Sequence, residues 1–494
     1  MGVIFLAGIL IWSCYFGSPE EGDKEAEAVV SFEIDEDGDV ISGAGVDSEY
    51  AQEQNPQEET QKSEEDGSSK DEKTKTTTVK KEKNSGTKKK TTKTSTKKNS
   101  KNAAEKNSDN KTSSNQGSET KKEESTSADN SQQTSTNQNT EEKNTTYQST
   151  VGGLTITSED ATCNVSGNVA TITKAGTYTM TGTLSEGQII INTEKTSKIV
   201  IVCNKMSIAC SNASPFYVKS ADEIIFRLAA GTTNTISDGA SYANVNGPNA
   251  ALYSEEDITI EGSGNLKVTG KYADGIASKN DIYIKQGTLQ VEAMDDGIRG
   301  KDGIEISGGT VNIVSESHAL KTTETTDTSK GMVQISGGTV TMDATGDGIH
   351  ATNQIKVSGG NTYIDAKNEG LDSDSSFVMT GGTLVIDGPK SLNHKIIDCT
   401  KGATIHGGTF FGVGSNTMTS GFGSGSGQKS LFYKAISEQQ TDTTVKIYNP
   451  SGTEIYSHKV TRKYQCVMYS APNLSAGNYT VYCNATKLGT CNVG

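Results

Sequence analysis

Six aspartates and one glutamate recur at matched places in a single stretch of this chain: Asp274, Asp295, Asp296, Asp347, Glu369, Asp372 and Asp374. Cationic side chains are interleaved with them, namely Lys279, Arg299, Lys301, Lys321 and His350. Carboxylates held at the spacing of neighbouring strands repel by several kcal/mol at an effective dielectric of about 20, so something must compensate. A hard cation does so, and Ca²⁺ takes its ligands from Asp-rich loops, backbone carbonyls and water. The flanking cations suit the carboxylates of an acidic polysaccharide. The same set would also serve a lyase, with Ca²⁺ acidifying the proton beside a uronate carboxyl and a Lys or Arg acting as base. Two plainer readings stand beside these: Asp-Gly is ordinary turn chemistry, and exposed Lys and Asp form solvated ion pairs. Asp274 with Asp295 and Asp296 is the first choice for a metal, because three carboxylates fall on two neighbouring repeats.

Those residues are positioned by a repeat over 272–382. ADGIASKNDIYIKQGTLQVEA returns as DDGIRGKDGIEISGGTVNIVS, GDGIHATNQIKVSGGNTYIDA and NEGLDSDSSFVMTGGTLVIDG. Asp274 to Asp296 is 22 residues, Asp347 to Glu369 is again 22, and a 29-residue step is a 22 with a seven-residue loop. A fixed period of this length means a stacked array. Aligned by offset, aliphatics fall into columns: Ile276, Ile298, Leu320, Ile349 and Leu371; then Ile284, Ile306, Ile335, Val357 and Met379; then Leu289, Val311, Val340 and Leu384; then Val291, Ile313, Met342, Ile364 and Ile386. Side chains repeating once per coil form ladders about 4.8 Å apart. The fold expected is all-β, a right-handed parallel β-helix of about 22 residues per coil with three short strands in each. In that stack the charged residues also become columns. One runs Asp274, Asp296, His318, Asp347, Glu369, with His318 as its gap; the next runs Ala277, Arg299, Lys321, His350, Asp372. The glycine after each acid, at Gly275, Gly297, Gly348 and Gly370, is expected to turn the backbone through positive φ.

Composition divides the 494 residues unevenly. Between 57 and 146 the apolar residues are Val79, Ala103, Ala104 and Ala128, too few to offset the entropy of ordering the segment. A flexible coil of that length spans on the order of 50 Å, a tether. The first residues, MGVIFLAGILIWSCYFG, suit a signal-peptide apolar region more than a membrane span, and the run ending at Cys14 resembles a bacterial lipobox, which makes Cys14 a lipidation candidate. Either reading puts the protein outside the cytoplasm, secreted or attached to the cell surface. The expected domains are 1–18 signal or anchor, 19–150 disordered linker, 151–411 parallel β-helix, 412–429 Gly/Ser-rich connector, and 430–494 a small β domain that caps the open end of the solenoid. Residues 1–150 carry 20 Lys against 29 acidic residues, and the remainder 26 basic against 32 acidic, a balance of −6. That balance, without basic clusters, argues against nucleic acid as partner. The Cys spacings fit neither a disulfide scaffold nor zinc; Cys466 with Cys483 or Cys491 is the one bridge considered. Tyr253, Tyr272, Tyr283 and Tyr363 are candidates for stacking on neutral sugars.

The repeats resemble a known family, the clostridial carbohydrate-binding parallel β-helix domain, which binds cellulose and polygalacturonate and is related in fold to pectate lyases. The likeness covers roughly residues 150–485. It is carried by TNTISDG, by NAALYSEEDITIEGSGNLKV running into YADGIASKNDIYI, by DDGIRGKDGIEISGG and GDGIHATNQIKVSGG, and by LFYKAISEQQ with LSAGNYTVY. The resemblance implies an extracellular, calcium-containing protein that binds acidic sugars, with calcium at Asp-Gly positions such as Asp274, Asp296 and Asp347 and with lyase activity not established. SESHAL, where an Asp-Gly is expected, and NEGL depart from that pattern. The reading reached is a monomeric, surface-tethered, non-catalytic binder of acidic polysaccharide or cellulose that uses Ca²⁺. A calcium-dependent polysaccharide lyase and a structural adhesin are the alternatives.

Overall fold

The computed structural model describes residues 146–494 apart from 390–392 and 418, together with the backbone of two short strands, Phe32–Ile34 and Val40–Gly43. Cys14 and most of the expected linker lie outside the described residues. Within that linker the two short strands pair antiparallel, and Tyr147–Val151 is a strand paired with Gly153–Ser158.

Among the described residues every element is a strand. The strands coil into a parallel solenoid of about ten turns with about 24 residues per turn. Each regular coil has three strands, as in Asp274–Ser278, Asp281–Ile284 and Thr288–Ala293, and each strand pairs in parallel with its counterpart one coil on. In the first coils the second and third strands are fused. Lys198–Ala209 pairs with both Glu223–Leu228 and Thr233–Ser237, and it bends near Lys205, whose φ is 59°.

The aliphatic columns face inward in register. Ile276 pairs with Ile298, Ile298 with Leu320, Leu320 with Ile349 and Ile349 with Leu371, all at 0 % exposure. Such ladders bury about 25 cal/mol of stabilisation per Å² of apolar surface. One rung is polar: Thr362 stands between Val340 and Leu384, and its hydroxyl is buried with no hydrogen-bond partner among the described residues.

Two glycine ladders serve different needs. Gly287, Gly309, Gly338, Gly360 and Gly382 precede the third strands with φ between 76° and 96°, the region that favours glycine. The glycines of the acid-Gly steps do not follow the expected positive φ. They are small for lack of room: a Cβ on Gly348 would lie 2.2 Å from Ile364 Cγ2 and 2.6 Å from the Gly370 carbonyl oxygen, and Gly275, Gly297 and Gly370 are enclosed the same way. The bulky Ile and Val column of the third strand fills the space behind the acid column.

The seven-residue insertion lies between Leu320–Thr322 and Met332–Ile335. Glu324 organises it, accepting the Thr326 amide at 2.7 Å, the Asp327 amide at 2.9 Å and the Thr326 hydroxyl. Lys330 reaches back to Asp302.

At the far end the last parallel strand, Thr409–Gly414, is covered by the antiparallel strand Tyr464–Ser470, which also pairs with Ser430–Gln439. A four-stranded antiparallel sheet of Glu454–Lys459, Thr444–Tyr448, Gly477–Cys483 and Thr486–Val493 completes the C-terminal region. Phe411 stacks on Tyr456 at 4.8 Å, and the buried Asp387 accepts from the Thr461 amide at 2.9 Å and pairs with His458 at 3.0 Å. The expected connector 412–429 starts inside a strand and is tied down thereafter. The Gly423 amide donates to Ala403, the Gln428 amide donates to Ile405, and Phe422 packs edge-on against Phe410. The exposed edge of the last coil needs these partners. The considered disulfide does not form: Cys466 donates to the Ser415 carbonyl and Cys491 to that of Phe432, and all seven described cysteines are free.

Two outcomes are expected. Thr362→Val raises the unfolding free energy by about 1–2 kcal/mol, read from urea unfolding, because it removes an unsatisfied buried hydroxyl and continues the aliphatic ladder; a loss of stability refutes this. The Thr326 hydroxyl and the Thr326 and Asp327 amides pull the Glu324 carboxyl down to about 2, against an ordinary value near 4.3. Its contribution to holding the loop is therefore complete above the ordinary value and lost as pH falls through about 2. The Thr326 and Asp327 amide resonances should titrate with a midpoint near 2, and a midpoint near 4 overturns the assignment.

Candidate functional site

The two charged columns run along the first strands of successive coils. Their main-chain register is as the spacing requires: Ala277 pairs with Arg299, Arg299 with Lys321, Lys321 with His350, and His350 with Asp372. What the register alone does not reveal is how like charges are reconciled, and the structure does it by a stagger. Asp274, Asp296 and Asp347 each use one oxygen to accept the amide of their counterpart in the next coil. Asp274 Oδ1 accepts from Asp296 N at 3.1 Å, Asp296 Oδ1 from His318 N at 3.1 Å, and Asp347 Oδ1 from Glu369 N at 3.0 Å. His318 keeps the chain of bonds intact, with Nδ1 at 3.2 Å from the Asp347 amide. The carboxylate gap is thus not a gap in the hydrogen-bonding ladder. Asp-Gly capping, the plainer reading, is present, but it spans coils rather than closing a local turn.

For Asp274 and Asp296 the second oxygen goes to a cation in the neighbouring column. Arg299 Nε lies 2.8 Å from Asp274 Oδ2, and Lys321 Nζ 3.1 Å from Asp296 Oδ2. Further along, His350 Nδ1 is 2.9 Å from Asp372 Oδ2, His394 Nδ1 2.8 Å from Glu369 Oε2, and Lys395 Nζ 2.7 Å from Asp398 Oδ1. Asp274, Asp296 and Arg299 are all 2 % exposed or less. Burial raises the Asp274 carboxyl to about 8; Arg299 draws it down, and Asp295 and Asp296 push it up. Burial and then Asp296 likewise raise Asp295. For Asp296 burial is outweighed by Lys321, His318 and Arg299, which hold it below its ordinary value.

Arg299 therefore does not present itself to a sugar, as the sequence reading expects. Its guanidinium is enclosed beneath loop 238–249, where Nη2 donates to Asn249 at 2.9 Å. That loop is fixed by Tyr242, which donates to Asp238 at 2.8 Å and stacks on Tyr272 at 4.1 Å. Lys321 is also drawn inward. Lys279 and His350 stay half-buried, as does Lys301, 4.0 Å from Glu324. The tyrosines named for sugar stacking are largely engaged: Tyr253 is buried against Tyr217, Tyr272 is stacked, and Tyr363 donates to Asp387. Tyr283 lines a groove of about 220 Å³ with Asp281, Glu305, Lys330 and Gln334.

Of the expected metal ligands, Asp274, Asp295 and Asp296 place carboxylate oxygens within 4.8 Å of one another, and Asp347, His350 and Asp372 do the same with their ligand atoms. Glu369 turns to His394, and Asp374 is exposed; neither joins these groups. Asn249 and His394 were not anticipated. Offset arithmetic carried one coil further reaches the neighbourhood of His394, whereas Asn249 lies in a loop outside the period.

These features define a parallel β-solenoid with a compensated acid–base ladder along one edge and an antiparallel cap. A family model described as "Carbohydrate-binding domain-containing protein" matches residues 166–416, and the chain belongs to that family. A protein of Acetivibrio thermocellus with the same description is 38 % identical over 134 residues, 26 % of this chain and 47 % of the relative, so the match spans about half of that protein. A solved structure described as the polysaccharide lyase-like protein from C. thermocellum, in a gadolinium derivative, is 29 % identical with a TM-score of 0.41, covering 51 % of this chain and 92 % of its own.

The buried pair sets an expectation. At pH 9, where the Asp274 carboxyl is ionised, Asp274→Asn keeps the acceptor for the Asp296 amide but strands the Arg299 charge, and should cost about 3–5 kcal/mol by chemical denaturation. Asp274→Asn with Arg299→Met should recover most of that loss. Equal destabilisation by the single and double variants would show that the charge pairing is not what matters.

Proposed function

We propose that this protein is a non-catalytic, calcium-dependent binder of acidic polysaccharide such as polygalacturonate, with cellulose as a further ligand, acting outside the cell. Membership of a carbohydrate-binding family supports the ligand class. The observation that carries the rest is the trio Asp274, Asp295 and Asp296. Three carboxylates face two cations, Arg299 and Lys321, so the group is one positive charge short when all are ionised. The donors are all oxygen, and Asp295 is the most open of the three, which suits Ca²⁺ completed by water and sugar carboxylates. In this reading Lys279 and Lys301 are the cationic candidates for exchanging a present partner for a further uronate.

A lyase needs a base that reaches the sugar and is unprotonated at working pH. Arg299 is enclosed. For Lys321, burial favours the neutral form, but Asp296 outweighs it and raises the ammonium above its ordinary value. Both facts favour binding over elimination. Attachment through Cys14 belongs to the same proposal and accounts for the long polar segment as a spacer between surface and solenoid.

The full-length protein should be retarded in gels containing polygalacturonate, and a chelator should release it. Asp295→Asn should weaken retention by about tenfold, equivalent to about 1.4 kcal/mol. Retention unaffected by chelator removes calcium from the proposal, accumulation of unsaturated sugar product establishes the lyase instead, and no retention favours the adhesin.

A further inference from the structure

We propose that Asp347, His350 and Asp372 form a binding site for one divalent d-block cation of the Zn²⁺ type, completed by water and separate from the all-carboxylate trio, with His318 positioning Asp347. The site arises from the offset of the two columns. His318 occupies the acid column and His350 the cation column one coil later, and because Lys321 is in register with His350 the two imidazoles meet across neighbouring coils. Their ring centroids are 5.1 Å apart, with planes inclined by 29°. Asp347 lies between them, its Oδ2 at 3.0 Å from His318 Nδ1 and 3.7 Å from His350 Nδ1. Asp372 Oδ2 closes the group at 2.9 Å from His350 Nδ1.

These separations fit a small tetrahedral ion. With metal–ligand bonds of about 2.0–2.1 Å, tetrahedral geometry places ligand atoms about 3.3–3.4 Å apart, in the middle of the observed range. A mixed set of imidazole nitrogens and carboxylates selects Zn²⁺ and its neighbours; Ca²⁺ wants more ligands, all oxygen, at longer range.

A second observation is independent of ligand spacing. His318 Nδ1 lies 3.2 Å from the Asp347 amide, which needs a lone pair there, and also 3.0 Å from Asp347 Oδ2, which needs a positive centre. Imidazole cannot meet both demands with one nitrogen, since Nδ1 bears either the lone pair or the proton. A cation against Oδ2 resolves the conflict: the Nδ1 lone pair then accepts the Asp347 amide, and His318 holds Asp347 in place without being a ligand itself. The carboxylate is already aimed, because Asp347 Oδ1 is fixed by the Glu369 amide at 3.0 Å. Access is open: the His318, His350 and Asp372 side chains are 22 %, 24 % and 29 % exposed, while Asp347 is 7 % exposed.

The test uses the full-length chain without a histidine tag, stripped by chelator and titrated with Co²⁺ as a spectroscopic substitute for Zn²⁺. The result expected is one Co²⁺ per chain with the visible absorption of a tetrahedral site, displaced by Zn²⁺ and not by an equal concentration of Ca²⁺. His350→Thr should weaken uptake by on the order of 100-fold or more, and His318→Gln, which loosens Asp347, by about tenfold, each with an unchanged far-ultraviolet circular dichroism spectrum. Asp295→Asn should leave uptake intact. In the unaltered protein, Zn²⁺ should protect His350 from diethyl pyrocarbonate while leaving His394, His406 and His458 reactive, so the assignment stays testable if a variant misfolds. Absence of a visible band, displacement by equimolar Ca²⁺, or uptake that persists in the folded His350 variant, as binding by the free thiols would give, overturns the site.

Discussion

Parallel stacking in register places each residue about 4.8 Å from its own counterpart in the next coil, and everything else in this molecule follows from that proximity. For an isoleucine the counterpart is a good neighbour. For an aspartate it is a bad one: two bare carboxylates at that separation repel by about 3–4 kcal/mol at an effective dielectric near 20. The solenoid meets this by dividing each acid's two oxygens. One takes an amide of the following coil, as Asp274 takes that of Asp296, and the other takes a cation from the adjacent column, as Asp274 takes Arg299. The result welds neighbouring coils together outside the core as the aliphatic ladders do within it.

The stagger also explains why the acid column is so deeply placed. Gly275, Gly297, Gly348 and Gly370 let the next coil's backbone and the isoleucine or valine column of the third strand approach within van der Waals range. The acids are thereby drawn against the backbone, where amides reach them and water does not. Burial and compensation come as a pair, and uneven compensation separates the members of the column. Asp296, with Lys321, is held ionised more firmly than usual, whereas Asp274, with three opposing influences and one arginine, is pushed toward the neutral form.

The core was legible because its evidence is arithmetic. A column such as Ile284, Ile306, Ile335 and Val357 has one explanation once the seven-residue insertion is recognised, and the register follows it. The composition of the charged edge was legible for the same reason. Its exposure was not, since Arg299 is covered by 238–249, a loop whose residues obey no period and whose path depends on Tyr242 and Tyr272. His318 looked like a defect because residue type was compared with residue type; an imidazole nitrogen and a carboxylate oxygen can fill the same acceptor position, which only coordinates reveal. The acid-Gly steps were read as turns because Asp-Gly usually signals one, and here crowding, not backbone hand, excludes a side chain.

The antiparallel cap gives the fold a direction in time. Thr409–Gly414 presents a full row of backbone groups to whatever lies beyond it, and the strand that satisfies them, Tyr464–Ser470, is encoded some fifty residues later. At the other end, Gly153–Ser158 covers Gly176–Leu184 with residues already made. A chain emerging from its N-terminus therefore has one edge closed from the start and keeps the other adhesive until its last strands arrive. Chain termination between Gly414 and Tyr464 would leave the parallel stack complete with a template at its tip, a species suited to joining others end to end.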